Sequence, residues 1–177
     1  MKRVDGQIIS ENPVFPDTNV LLAYVIGYDE PGKIVCMAFE KAKTNDVVVV
    51  TNQVMEELVK ISLRYNKASA DRILDAMREL NPKLVFVKKP TKEQLDSVYI
   101  SDPDDMEILY SAKSAGAKII LTRDNAWFRD DVFGIDGEIM DPIGYLYHDE
   151  ILIDGKRFRD PDVGRIRHIF SRKGGSK

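Results

Sequence analysis

Four carboxylates occur far apart in the chain at positions where folding could bring them together: Asp17, Glu57, Asp105 and Asp124. Asp17 and Asp124 each follow a short apolar segment typical of a β-strand, and Glu57 and Asp105 lie in the first two turns of predicted helices. In a parallel sheet, the carboxyl ends of the strands and the N-termini of the helices that follow them share one edge. Acids that gather there without cations repel one another, and a hard divalent cation such as Mg²⁺ or Mn²⁺ relieves that repulsion. The pattern therefore predicts a metal site.

Each of these acids also has a purely structural interpretation. Asp17 can cap the helix that follows it, and Asp124 can form an Asx turn before Asn125. Residues 102–105 fit the N-cap, N1, N2 and N3 positions of a helix, where acids are favoured by the helix dipole. Only the combination of the four positions favours a functional site.

Glu57 is harder to explain as a cap, because it lies in the second turn of a helix whose N-cap candidates are Thr51 and Asn52. The predicted apolar face of that helix comprises Val54, Leu58, Ile61 and Tyr65. At about 100° per residue, Glu57 falls at the border of this face, whereas Glu56 falls on the solvent face beside Lys60. Glu57 is therefore predicted to border the core, with a simple flanking charge as the alternative.

The elements that must position these acids alternate between strands and helices. Residues 47–50 are four valines without polar alternation, which is typical of a parallel strand covered on both faces. The helix predicted at residues 18–26 is apolar all round and should be buried on every side. We therefore predict an α/β fold, an α/β/α sandwich with a central parallel sheet.

The chain has 177 residues, which is enough for one domain with a sizeable core. We predict a domain at residues 1–148 and a C-terminal extension at residues 149–177. Two strand-like runs flank Asp154-Gly155, so the extension should begin with a β-hairpin. Residues 156–177 carry eight basic and two acidic side chains, although the whole chain has a net charge of -3. This predicts a basic tail that could hold a polyanion, with a solubilising terminus as the alternative.

Composition excludes several other classes of protein. The hydrophobic fraction of 44% and the charged fraction of 31% are typical of globular proteins, and no apolar run is long enough to cross a bilayer. No signal-peptide segment follows Met1, so we expect a cytoplasmic protein without a membrane partner. Cys36 is the single cysteine, which excludes an internal disulfide and a cysteine-based zinc site.

These motifs resemble those of the PIN domain, the metal-dependent nuclease fold of toxin ribonucleases and RNA-processing factors. The opening motif corresponds to residues 15–22 (FPDTNVLL), and the motifs of the other three acids correspond to residues 54–58, 102–112 and 121–124. The resemblance implies that the catalytic and metal-binding residues are Asp17, Glu57, Asp105 and Asp124, supported by the polar side chains of Asn19 and Thr122. Glu56 remains an alternative to Glu57, and Asp104 or Asp102 remains an alternative to Asp105.

The resemblance implies an endoribonuclease that hydrolyses RNA phosphodiester bonds with water activated by Mg²⁺ or Mn²⁺. The expected substrate is single-stranded or looped RNA, and a homodimer and an inhibitory protein partner are both compatible with the family. His148 and His168 lie in the C-terminal region, which favours metal-activated water over a histidine base. The candidate RNA contacts are Arg123, Arg157, Arg159, Arg165 and Arg167.

Two other functions remain open. A non-catalytic PIN-like scaffold would bind RNA through the basic tail within an RNA-processing complex. A small-molecule phosphohydrolase would also place an aspartate at a strand end, but it needs a second aspartate two residues later, where this chain has Asn19. The nuclease interpretation is therefore preferred.

Overall fold

The structure is a computed structural model that describes residues 2–4, 7–9, 12–27, 30–147, 152–153, 156–157 and 164–170. The strands are β1 (Lys2–Val4), β2 (Gln7–Ile9), β3 (Pro13–Pro16), β4 (Val47–Thr51), β5 (Lys83–Val85), β6 (Ile119–Leu121), β7 (Gly137–Met140), β8 (Leu152–Ile153), β9 (Lys156–Arg157) and β10 (Ile166–Ile169). The helices are α1 (Thr18–Ile26), α2 (Glu30–Asn45), α3 (Asn52–Tyr65), α4 (Ala70–Leu80), α5 (Lys92–Leu95), α6 (Pro103–Ser114), α7 (Ala126–Arg129) and α8 (Pro142–Leu146).

A six-stranded sheet forms the centre of the protein, with the strand order β10-β7-β6-β3-β4-β5. All neighbouring strands are parallel except β10, which is antiparallel to β7. Helices flank this sheet, so the predicted α/β fold class is confirmed. Strands β3 and β6 lie side by side with Pro16 opposite Leu121. Their carboxyl ends therefore meet at one edge, where Asp17 and residues 122–124 follow.

Helix α1 and strand β4 are buried as their sequences predict. No residue of α1 is exposed, and Val48, Val49 and Val50 are all buried. Among the described residues, none of the helices combines the length and the apolar character that a membrane span requires. The apolar residues of α1 and β4 thus belong to the core.

The predicted apolar face of α3 is only partly correct. Tyr65 is 58% exposed, whereas Ser62 is fully buried. All residues from 63 to 67 are exposed, because no element of the described chain covers the last turn of α3. The angular position of a side chain predicts burial only where a neighbouring element covers that turn.

The predicted N-caps of α3 have other roles in the structure. Thr51 occupies the N-cap position, but its side chain makes no capping hydrogen bond. Its hydroxyl instead accepts a hydrogen bond from the Ser111 hydroxyl, and the Asn52 side chain accepts one from the Val87 backbone N–H. Polar side chains at this helix start therefore connect neighbouring segments.

The C-terminal segment differs from its prediction in one respect. Strands β8 and β9 pair as an antiparallel hairpin, although the turn at Asp154-Gly155 and Arg159 lie outside the described residues. Strand β10 was expected within a basic tail, yet it forms the antiparallel edge of the central sheet. Residues 166–169 (IRHI) lack the apolar–polar alternation typical of a strand, and the charge of the surrounding segment suggests a tail. The chain from 166 to 169 is thus part of the main sheet.

Replacement of Ile169 should test whether β10 stabilises the domain. Ile169 is 2% exposed, so Ile169→Ala should lower the free energy of unfolding by about 2 kcal/mol. Phe170 is 70% exposed, and Phe170→Ala should change this free energy little. Urea denaturation of both variants provides the measurement, and equal stability of the two would show that β10 contributes no packing energy.

Candidate active site

Asp17 is the buried centre of the candidate site. It follows β3 and caps α1, accepting a hydrogen bond from the Thr18 backbone N–H at 2.6 Å through Oδ1. Its Oδ2 accepts hydrogen bonds from the Asn19 side chain at 2.7 Å and from the Thr122 hydroxyl at 2.8 Å. The two side chains that were predicted to support the site therefore contact Asp17 directly.

Thr122 joins Asp17 to Asp124 across the edge of the sheet. Besides donating to Asp17, its hydroxyl accepts a hydrogen bond from the Asp124 backbone N–H at 3.1 Å. Asp124 also forms the predicted Asx turn, because its Oδ1 accepts from the Ala126 N–H at 2.8 Å. The Asn19 side-chain oxygen accepts from the Arg123 N–H at 3.1 Å. The turn after β6 is therefore fixed against the start of α1.

Glu57 approaches the site from α3. Its Oε2 accepts a hydrogen bond from the Thr18 hydroxyl at 2.5 Å, and its side chain is half-buried, whereas Glu56 is exposed. Thr18 was not predicted as part of the site, because only the folded chain shows which acid its hydroxyl faces. Of the two glutamates, Glu57 is the one that the structure brings to Asp17.

Asp105 approaches from the first turn of α6. The predicted capping arrangement is present, with Asp102 at the N-cap, Pro103 at the first helical position and the Asp104 N–H donating to Asp102 Oδ1 at 2.9 Å. Asp102 and Asp104 are exposed, whereas Asp105 is half-buried. Its position makes Asp105 the member of this acidic turn that faces the other acids, whose charges act on it.

A buried polar network holds α6 beside α3. The Ser111 hydroxyl donates to the Thr51 hydroxyl at 2.6 Å and to the Gln53 side chain at 3.3 Å, and Gln53 donates to the Val87 carbonyl at 2.7 Å. These residues were not predicted as part of the site. A serine on the apolar face of α6 was the available signal, since buried hydroxyls need partners. The network fixes the two helices that carry Glu57 and Asp105.

The electrostatic state of Asp17 reflects both burial and neighbouring charge. Burial raises the pKa of its carboxyl to about 6, and the charges of Glu57 and Asp124 also raise it. Hydrogen bonds from Thr122 and the Thr18 backbone lower the pKa without cancelling these effects. Within the described part of the chain, no positively charged side chain pairs with Asp17 to compensate its ionised form.

The pKa of the Asp105 carboxyl is raised as well. Burial is the largest cause that raises its pKa to about 7, and nearby negative charges add to the effect. Those charges belong to Asp17, Asp102, Asp124 and Glu57. Because each of the four predicted acids appears among the charges that perturb Asp17 or Asp105, folding brings all four into one electrostatic cluster.

The cluster contains acceptors that no protein donor uses. Within the described residues, no Lys, Arg or His forms an ion pair with any of the four acids. A carboxylate has about four acceptor sites, and three hydrogen bonds to Asp17 leave one of them open. The Asp105 carboxylate accepts no hydrogen bond in the same part of the chain.

The carboxylate oxygens of the four acids are the kind of ligand that a hard divalent cation prefers. Across the described part of the chain, however, no three acid, histidine or cysteine side chains lie close enough to form a complete ligand set. Mg²⁺ is commonly bound by one or two carboxylates while it keeps several waters, so this arrangement suits that mode of binding. The donor set therefore fits Mg²⁺ or Mn²⁺ with few direct protein ligands.

The predicted RNA-binding arginines differ in their surroundings. Arg123 is exposed, and its guanidinium makes no hydrogen bond or ion pair with the described residues. Arg165 pairs with Asp141 at 3.0 Å, and Arg167 donates to the Trp127 carbonyl at 3.2 Å. Arg157 lies in β9, and nothing about its side chain is described. Of the arginines whose side chains are described, Arg123 is the one whose guanidinium has no partner among the described residues.

The fold and the cluster define an α/β protein with an acidic site at the carboxyl edge of its sheet. The family model described as PIN domain matches residues 13–126, more than half of the chain, so the chain belongs to the PIN-domain family. PIN domains are generally nucleases, and the nucleases of this family typically use divalent metals.

Similarity to a solved structure is weaker than the family match. The crystal structure of VapBC2 from Rickettsia felis bound to a DNA fragment from their promoter is similar at a TM-score of 0.47 and 13% sequence identity. This similarity covers 66% of the present chain and 92% of that chain. No curated protein matches the sequence significantly.

Proposed function

We propose that this protein is a metal-dependent endoribonuclease that hydrolyses RNA phosphodiester bonds at the acidic cluster. The observation that carries the proposal is the buried carboxylate of Asp17, whose pKa is raised to about 6 and which lies among further acids with no ion pair to the described Lys, Arg and His side chains. Perturbed acids of this kind are concentrated at functional sites. A structural helix cap would not need three more acids around it.

Each acid has a proposed role in holding the ion. Asp17 would be the central ligand, because the Thr122 hydroxyl and the Asn19 amide fix its orientation. Asp105 and Asp124 would complete the protein ligands, directly or through water, and Glu57 would act from α3. When bound, a divalent ion supplies positive charge to the scissile phosphate and lowers the pKa of a water molecule.

Family membership supports RNA as the substrate class, and the site supports a flexible strand. The four acids lie at one edge of the sheet, where an extended backbone can approach from solvent. A single-stranded or looped RNA can bend its backbone into such a site, whereas a duplex is stiffer. Arg123, next to Asp124 in the chain, would contact a phosphate of the bound strand.

Cleavage assays on two adjacent glutamates test the assignment. Glu57→Gln should reduce cleavage of an unstructured RNA in Mn²⁺ by about 10- to 100-fold, because it removes a charge that holds the ion or its water. Glu56→Gln is a matched control on the exposed side of α3 and should retain activity. Equal activity of wild type and Glu57→Gln would contradict the role of Glu57, and a DNA strand of the same sequence tests the preference for RNA.

One observation favours the non-catalytic scaffold as a second candidate. Among the described residues, no three potential ligands are close enough for a complete metal site. Wild-type protein that binds RNA without cleaving it in either Mg²⁺ or Mn²⁺ would support the scaffold. Removal of the basic segment after residue 155 would not distinguish the scaffold from the nuclease, because it would also remove β10 from the central sheet.

A further inference from the structure

A pocket of about 260 Å³ lies between α2 and the start of α8. Its apolar wall includes Ile34, Pro142 and Ile143, and its polar wall includes Arg123, Asp141 and Arg165. The volume is just below the roughly 300 Å³ at which pockets for drug-sized ligands begin. Apolar surface combined with a few fixed polar groups suits one small planar group, such as a nucleobase.

The pocket is connected to the acidic cluster by the turn after β6. Arg123 lies between Thr122, which donates to Asp17, and Asp124. Its backbone N–H donates to the side chain of Asn19, which itself contacts Asp17. The polar wall of the pocket therefore begins one residue from the proposed metal ligands. A strand whose phosphate lies at the acids would place a neighbouring nucleotide near this pocket.

The guanidinium of Arg165 is held in place in the pocket before any ligand binds. Arg165 pairs with Asp141 at 3.0 Å, donates to the Asn125 side chain, and lies over the Phe128 ring with 4.2 Å between the guanidinium carbon and the ring centroid. A guanidinium that is already fixed loses little conformational entropy when it binds a ligand.

The charge balance of the pocket favours a ligand with acceptors. The other carboxylate oxygen of Asp141 accepts from the Gly144 N–H at 2.7 Å, so both oxygens already have donors. Arg165 compensates the charge of Asp141, and the exposed guanidinium of Arg123 remains as excess positive charge. The lining of the pocket therefore offers more hydrogen-bond donors than free acceptors. Guanine presents two acceptors, N7 and O6, on one edge, and arginine is their commonest partner.

We propose that this pocket binds the base of the nucleotide adjacent to the scissile phosphate, with guanine preferred; the proposal rests on the proposed ribonuclease function. The apolar wall contacts the face of the base, Arg165 donates to its acceptor edge, and Arg123 contacts the adjoining phosphate. The pocket therefore determines where along an RNA strand the acids act.

Binding of RNAs that lack a single base tests this proposal without relying on cleavage. Fluorescence anisotropy would be measured with Asp17→Asn protein, which should not cleave the strand. The ligand would be a labelled single-stranded RNA that contains one guanosine, in a series in which an abasic nucleotide replaces each position in turn. Stacking of one base contributes about 1–3 kcal/mol, so we expect at least about a fivefold loss of affinity at one position only. Equal affinity at every position would overturn the proposal.

Filling the pocket provides the matched comparison. Ile143→Trp, made in the same protein, should abolish the dependence on the base, whereas Leu74→Trp, at an exposed position of α4, should retain it. Retention of the base dependence in a folded Ile143→Trp protein would contradict the assignment to this pocket. A second measurement needs no pocket variant: wild-type protein should bind guanosine 5′-monophosphate at least about fivefold more tightly than ribose 5-phosphate. Equal binding of the two would also overturn the proposal.

The failure of this proposal can be distinguished from the failure of the ribonuclease function. Cleavage by wild type at bonds that do not depend on a neighbouring base would overturn the pocket and leave the nuclease intact. Binding that depends on one base, without cleavage in Mg²⁺ or Mn²⁺, would support the pocket and overturn the nuclease.

Discussion

Asp17→Asn should reduce RNA cleavage in Mg²⁺ or Mn²⁺ by about 1,000-fold. A bound divalent ion contributes several kcal/mol of charge stabilisation to the transition state, and each 1.36 kcal/mol corresponds to a tenfold change in rate. The substitution removes the charge of the central proposed ligand but keeps the size of the side chain. Single-turnover cleavage of a labelled, unstructured RNA provides the measurement, and activity equal to that of wild type would refute the nuclease assignment.

The same substitution separates a metal-binding role of Asp17 from a structural role in which its carboxylate accepts hydrogen bonds from Asn19 and Thr122. The introduced asparagine side chain retains an oxygen that can accept from the Thr18 N–H, while it loses the acceptor shared by Asn19 and Thr122. The substitution also removes a buried charge that is unfavourable without metal. Metal-free Asp17→Asn should therefore be at least as stable as wild type at pH 8, but Mn²⁺ should no longer stabilise it. Marked destabilisation of the metal-free variant would instead show that Asp17 is mainly structural, through the hydrogen bonds that it accepts from Asn19 and Thr122.

Without metal, the free energy of unfolding should fall as the pH rises from about 4 to about 7. The folded protein holds a proton on Asp17 up to a pKa of about 6 and on Asp105 up to about 7, whereas the unfolded chain releases both near pH 4. Because the folded state binds more protons in this window, stability present below pH 4 is lost as the pH rises through the folded pKa values. For buried Asp17 the loss is about 3 kcal/mol.

Urea denaturation of metal-free protein at several pH values measures this effect. The difference in stability between wild type and Asp17→Asn isolates the contribution of Asp17 from that of other acids. At pH 8, Mn²⁺ at about 100 times its dissociation constant should restore about 2.7 kcal/mol to wild type. A wild-type profile that parallels the profile of Asp17→Asn throughout the window would exclude an unfavourable charge on Asp17.

Much of the fold follows from local patterns in the sequence. Four consecutive valines predict the buried strand β4, and an all-apolar segment predicts the bounds of α1. Gly116 follows the C-cap of α6 with φ of +73°, a backbone conformation that favours glycine at the end of a helix. These patterns succeed because the neighbours that matter lie within a few residues in the sequence.

The errors occur where distant segments decide the outcome. Tyr65 lies on the apolar side of α3 but is exposed, because no described helix or strand covers that turn. Residues 166–169 form a strand only because β7 offers an unpaired edge. The positions of the four acids could be predicted from strand and helix ends, but the hydrogen bond from Thr18 to Glu57 depends on tertiary placement. The sequence therefore predicts which acids lie at the edge of the sheet better than it predicts the hydrogen bonds between their neighbours.

The burial of α1 constrains how the site could adjust to different ions. Asp17 begins a helix with no exposed residue, so it cannot shift without disturbing the core. Glu57 and Asp105 are half-buried and Asp124 is exposed, so these three side chains have room to move. A change of ionic radius would therefore be accommodated by the three outer acids around an immobile Asp17. Substitutions that alter the choice between magnesium and manganese should be found around the outer acids and not along α1.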